Sequence, residues 1–242
     1  MSDLGSPTPR PEVAEPRGSL DQSLSEHTPP RPPNALRLAS LAQDPRSETK
    51  GPWLVVIDPQ NIFAAPDSAW GSPMFPAAFA NIRRLADAAA DRVLVTRWLP
   101  TADRSTSWGD YFAAWPFADQ PADDPLYDLV PGARDLSPHP TLDAPTFGKW
   151  GAIEQLLPFD HLGDRAEQVG SSPIVLAGVS TDCCVISTAL AAADAGARVT
   201  IAADACAGST PENHAAAVQI MGLYPPQLTV SDTASALRIL RP

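Results

Sequence analysis

The chain has 242 residues, with 28 acidic, 17 basic and 28 proline side chains and a formal net charge of −11. A nucleic acid needs a basic surface to displace its counterions, so this balance excludes one as a partner. There is no run of 18 apolar residues, and the first 30 residues lack the apolar centre of a secretory signal. The expectation is a soluble, cytoplasmic protein with no membrane association.

Nine of the prolines fall in residues 1–50, together with 7 acidic and 6 basic residues and few large apolar ones. That segment is expected to be a disordered N-terminal tail, leaving residues 51–242 as the folded domain. The domain opens with Trp53 to Asp58 (WLVVID), a short β-branched apolar run stopped by Pro59, as in a strand buried on both faces. Similar runs follow at Val93 to Thr96, Ile174 to Ala177 and Val199 to Ala202, with a weaker one at Gln227 to Val230. Helical patterns lie between them: Ala77 to Ala90, with Ile82, Leu85 and Ala89 on one face; Cys184 to Ala195; and Pro211 to Gly222, with proline in its first turn. Alternating strands and helices predict one three-layer αβα domain built on a mainly parallel sheet. Residues 97–148 form a long insertion rich in Trp, Phe, Asp and Pro, suited to walling a pocket or covering a subunit contact.

Ligands of such sheets bind beyond the carboxyl ends of the strands. Neither G-x-G-x-x-G after the first strand nor G-x-x-x-x-G-K-[ST] anywhere is present, so the usual dinucleotide and triphosphate cradles are missing. The three cysteines, Cys183, Cys184 and Cys206, give no disulfide framework. The four histidines, His27, His139, His161 and His214, show no metal-ligand spacing, so neither metal nor other cofactor is expected.

Three residues stand out. Cys184 sits where a strand turns into a helix, and a helix N-terminus favours a thiolate; a small buried hydrophobe is the plainer explanation. Its neighbour Cys183 should face elsewhere, because adjacent helical residues diverge by about 100°. Lys149 is the one lysine of residues 51–242, against ten arginines. A site needing a compact, tunable ammonium would retain it, and so would chance on the surface. Asp58 ends an apolar strand and must be paired, reach solvent or cap the following turn. Together they supply a base, a cation and a nucleophile.

Three segments carry a resemblance. GVSTDCCV (Gly178 to Val185) resembles the nucleophile turn of the isochorismatase-like cysteine hydrolases. VVIDPQNIF (Val55 to Phe63) resembles the family's first strand, and TFGKWGAI (Thr146 to Ile153) its lysine segment. The similarity spans about residues 52–232. It implies a six-stranded parallel sheet between helices, a triad of Asp58, Lys149 and Cys184, and a cis peptide at Val179-Ser180. That peptide would aim the Ser180 and Cys184 amides at an oxyanion. It also implies a homo-oligomer.

Where metal-binding nicotinamidases of the family carry D-x-H after the second strand, Thr96 to Trp108 contains no histidine. Isochorismate-cleaving members lack the cysteine, so Cys184 points to hydrolysis of an amide, ureide or carbamoyl C–N bond in a small molecule. A non-amide isochorismatase-type substrate and a catalytically silent binding domain are the rival readings. A redox pair of Cys183 and Cys184 is disfavoured, because a vicinal disulfide is strained. Asn61, Phe63 and Arg97, near the strand ends, are the candidate substrate contacts. Trp98, Trp108, Phe112 and Trp115 would serve as pocket wall or core.

Overall fold

A computed structural model describes residues 51–156 and 173–241. The expected tail, residues 1–50, lies outside the described residues. Six strands form one parallel sheet: β1 (Trp53–Ile57), β2 (Val93–Trp98), β3 (Leu142–Ala144), β4 (Ile174–Val179), β5 (Val199–Ala207) and β6 (Leu228–Ser231), in the order β3-β2-β1-β4-β5-β6. The helices are α1 (Asn61–Ala64), α2 (Phe75–Ala89), α3 (Ser107–Ala114), α4 (Trp150–Ile153), α5 (Ile186–Asp194), α6 (Pro211–Met221) and α7 (Thr233–Leu240).

The two-residue period of β1 explains the layers. Leu54 and Val56 point into a core shared with Ile82, Leu85 and Ala89 of α2 and Leu240 of α7. Val55 and Ile57 point the other way, onto Ile153 of α4, Ala189 of α5 and Met221 of α6. Both faces are closed, so the four aliphatic side chains of Leu54 to Ile57 are wholly buried. Each such burial stabilises the fold by about 1.5–3 kcal/mol relative to exposure.

The chain departs from the central pair β1 and β4 toward opposite edges of the sheet. This is the topological switch point, where a crevice opens beyond the strand ends. The two strands meet in register from Trp53↔Ile174 to Ile57↔Gly178. At Gly178, where φ is +125°, a Cβ would stand 2.2 Å from the Ile57 carbonyl oxygen, so glycine is required for this approach.

Several bounds differ from the expected ones. α2 begins at Phe75, with proline in its first turn. β5 runs on to Ala207 after an irregularity in its pairing with β4. The expected helix from Cys184 begins as a wide π-type turn, Thr181–Val185, and becomes α-helical at Ile186. The short edge strand β3 and the terminal α7 were not anticipated from the periodicity of residues. No helix among the described residues is long and apolar enough to cross a membrane.

Candidate active site

Asp58 follows β1 with φ at 45°, in the left-handed region that few non-glycine residues adopt and Asp tolerates better than most. Its side chain is fully buried. The Thr96 hydroxyl, on the neighbouring β2, donates to Asp58 Oδ1 at 2.6 Å and accepts from the Asp58 backbone N–H at 3.1 Å. Oδ2 faces Lys149 Nζ at 3.0 Å, in an ion pair whose two side chains are both inaccessible to solvent.

Lys149 reaches this position from the N-terminal edge of α4. Its ammonium also donates to the carbonyls of Thr146 and Phe147, so all three of its donors are engaged. Burial works against the charge, but the Asp58 carboxylate outweighs it and holds the lysine pKa above its ordinary value. The Lys149 backbone N–H donates to Thr188 Oγ1 at 2.9 Å, and that hydroxyl donates to the Cys184 carbonyl at 2.6 Å. One threonine of α5 therefore ties the lysine segment to the cysteine turn.

That turn leaves β4 through a cis peptide between Val179 and Ser180. The Ser180 carbonyl accepts from the amides of both Cys183 and Val185, which closes the wide turn. Cys184 is buried and Cys183 half-buried, yet both line the same cavity. Cys183 therefore does not face elsewhere, as helical spacing implies. The thiol of Cys184 is pushed well up by the adjacent Cys183 thiol, by burial and by the Asp58 carboxylate, against the pull of Lys149. These surroundings work against the thiolate that a helix start would favour, so ionisation of Cys184 calls for a base.

The cavity measures about 380 Å³. Ser180, Asp182, Cys183, Cys184 and Ser209 form its polar floor, and Phe63, Trp70, Trp98, Tyr111, Trp115 and Phe147 its aromatic wall. Asp182 accepts from the Ser209 backbone N–H at 2.8 Å and from its hydroxyl at 2.6 Å. Gln60, wholly buried, braces the wall: its amide donates to the carbonyls of Trp98 and Tyr127 and accepts from the Trp98 N–H.

Of the expected substrate contacts, Phe63 lies in the wall. Arg97 does not. It alternates with Thr96 and Trp98 on β2, points away from the crevice, and forms a two-pronged ion pair with Asp143 of β3 at 2.8 Å. Asn61 is also outside the wall, its amide donating to the Pro125 carbonyl at 2.9 Å. Val179 ends β4, buried beneath the floor. Trp98 and Trp115 line the cavity, whereas Phe112 is core and Trp108 packs on Phe147 at 4.9 Å between ring centroids. Sequence reasoning missed Trp70, Tyr111 and Phe147. The signal available was a lone tryptophan in a turn-rich stretch, Pro66 to Pro73, where no regular element needs it for packing.

A three-layer α/β domain with a buried carboxylate–ammonium pair beside a cysteine at the switch point is the class these features define. Residues 52–235, more than half of the chain, match the isochorismatase domain, and the protein belongs to the isochorismatase family. No curated protein matches the sequence. Among solved structures, a cysteine hydrolase from Pseudomonas syringae pv. phaseolicola 1448A is similar over 78% of this chain and 91% of its own, at 17% identity and a TM-score of 0.58. An isochorismatase family protein from Desulfovibrio vulgaris subsp. vulgaris str. Hildenborough is similar over 79% and 98%, at 19% identity and a TM-score of 0.60. The pyrazinamidase of Pyrococcus horikoshii, solved in complex with zinc, is similar over 74% and 97%, at 21% identity and a TM-score of 0.52. At these identities the likeness is one of fold. Among the described residues no group of three or more His, Cys, Asp or Glu is placed to hold a metal ion.

Proposed function

We propose that this protein is a cysteine hydrolase that cleaves a C–N bond (amide, ureide or carbamoyl) of a small molecule through Cys184, Lys149 and Asp58. The observation that carries the reading is the solvent-free ion pair of Asp58 and Lys149 at 3.0 Å, held by Thr96 and Thr188, beneath a cavity that Cys184 lines. A buried pair of charges is costly to keep unless it does more than stabilise the fold.

In this reading Asp58 takes the proton of Cys184 as the sulfur attacks the substrate carbonyl. Negative charge moves from carboxylate to sulfur and then to the carbonyl oxygen, while Lys149 remains protonated and compensates it at each stage. The backbone amides of Ser180 and Cys184 receive the oxyanion. As the tetrahedral adduct collapses, the C–N bond breaks and Asp58 returns the proton to the departing ammonia or amine, leaving a thioester on Cys184. Water then adds to the thioester, a carboxylic acid leaves, and the thiol is restored. No step is routed through a metal.

The test is ammonia or amine release from a panel of small amides, ureides and carbamoyl compounds. Turnover of at least one class that disappears in Cys184→Ala supports the reading; equal rates in the variant and the parent refute it.

A further inference from the structure

The wall of the cavity suggests what enters it. Among the described residues no lysine or arginine lines the space, and its one charged lining group is the Asp182 carboxylate. A substrate with its own carboxylate would meet like charge and no compensating cation, which costs affinity in a partly desolvated site. The rings stand at steep angles: Trp70 lies at 65° to Trp115, 61° to Trp98 and 44° to Tyr111, and Tyr111 at 72° to Phe147, with centroids 5.5–6.2 Å apart. Phe63 alone stacks parallel on Trp70, at 3°. A flat aromatic amide is best gripped between parallel planes, whereas rings set on several sides enclose a rounder group. Two of them remain open at the mouth, Trp115 being 45% and Phe147 36% exposed. The rim thus offers aromatic surface to an incoming ligand.

We propose that the substrate carries a diffuse positive charge, such as an alkylated ammonium head, which this ring box holds while its carbonyl lies over Cys184. The inference rests on the hydrolase reading for the placement of the carbonyl and adds the chemical class of the group bound. Ring quadrupoles present their negative faces to a cation, and Asp182 adds attraction of the same sign. A neutral isostere fills the same space without either term.

Three matched amides test it: trimethylammonioacetamide, its uncharged isostere tert-butylacetamide, and the anionic succinamate. Binding is read by tryptophan fluorescence in Cys184→Ala, where turnover plays no part, and ammonia release is read in the parent protein. The cation is expected to bind about tenfold more tightly than its isostere, the size of a partly desolvated cation–π contact, with succinamate weakest. Trp115→Leu, which retains apolar bulk at an exposed position but removes the ring, should shrink that preference severalfold. Equal or better binding of the neutral isostere, tight binding of succinamate, no measurable affinity for the cation, or an unchanged preference in Trp115→Leu would each overturn the inference. Cation preference without ammonia or amine release from any amide, ureide or carbamoyl compound would instead sink the hydrolase reading and leave the binding inference standing.

Discussion

Replacing Lys149 by methionine retains the length of the side chain and deletes its charge, leaving the Asp58 carboxylate buried with the Thr96 hydroxyl as its remaining hydrogen-bond donor among the described residues. Removing one member of a buried pair typically costs about 3–5 kcal/mol, because the remaining charge is uncompensated. For a domain of this size each kcal/mol lowers the melting temperature by roughly 2–4 °C, so Lys149→Met should melt roughly 6–20 °C below the parent. Asp58→Asn combined with Lys149→Met removes both charges and should regain part of that loss. Urea unfolding of the parent, both single variants and the double variant gives the coupling energy directly. The pH dependence has a definite sign. Lys149 is held above its ordinary pKa, so its contribution is fully present below the unfolded lysine value of about 10.4 and is lost as pH rises through the higher folded value. The gap between parent and Lys149→Met should therefore be wide at neutral pH and narrow under strongly alkaline conditions. If Lys149→Met unfolds within about 0.5 kcal/mol of the parent at neutral pH, the change falls in the range of a surface substitution, and the buried pair is not what organises the site.

Alkylation followed by peptide mapping should modify the half-buried Cys183 before the buried Cys184, whose thiol is also held up by its surroundings; the reverse order contradicts that placement. Thr188→Val removes the hydroxyl that links the Lys149 amide to the Cys184 carbonyl, and should cost about 1–3 kcal/mol of stability by leaving a buried N–H unpaired, together with a fall in kcat larger than the change in KM. Arg97→Met, by contrast, breaks a partly exposed pair outside the cavity; chemical denaturation should register about 1 kcal/mol or less and kcat/KM should stay within twofold. Gly178→Ala would press a Cβ against the Ile57 carbonyl in a positive-φ conformation, and loss of soluble folded protein or at least about 3 kcal/mol of stability is expected.

The parts of this architecture that follow from local chemistry were readable in the chain. Buried strands such as Leu54 to Ile57 announce themselves by uninterrupted β-branched residues, and α6 by its proline start. Asp58, Lys149 and Cys184 were singled out by position, scarcity and turn context. What local chemistry does not encode is partnership across the chain. Arg97 looked available at a strand end, yet one residue of strand alternation turns it from the crevice to Asp143. The wide turn at Thr181–Val185 reset the direction of Cys183 in a way that ordinary helical spacing does not anticipate. Trp70, in an irregular loop, has no periodicity to betray its place in the wall, and β3 is too short to stand out from a proline-rich insertion.

The missing side chain at position 178 has a consequence for how this enzyme scaffold can change. With the two central strands pressed together there, the Asp58 end of β1 and the Cys184 turn that follows β4 are held at a fixed spacing. A shift of β1 would pull the Asp58 carboxylate away from the Lys149 ammonium, and a shift of β4 would carry the Thr181–Val185 turn away from that pair. The side chains of Trp115 and Phe147, at the rim, are partly exposed and take no part in that close approach. Attempts to redirect specificity should start at that rim and leave the strand junction untouched.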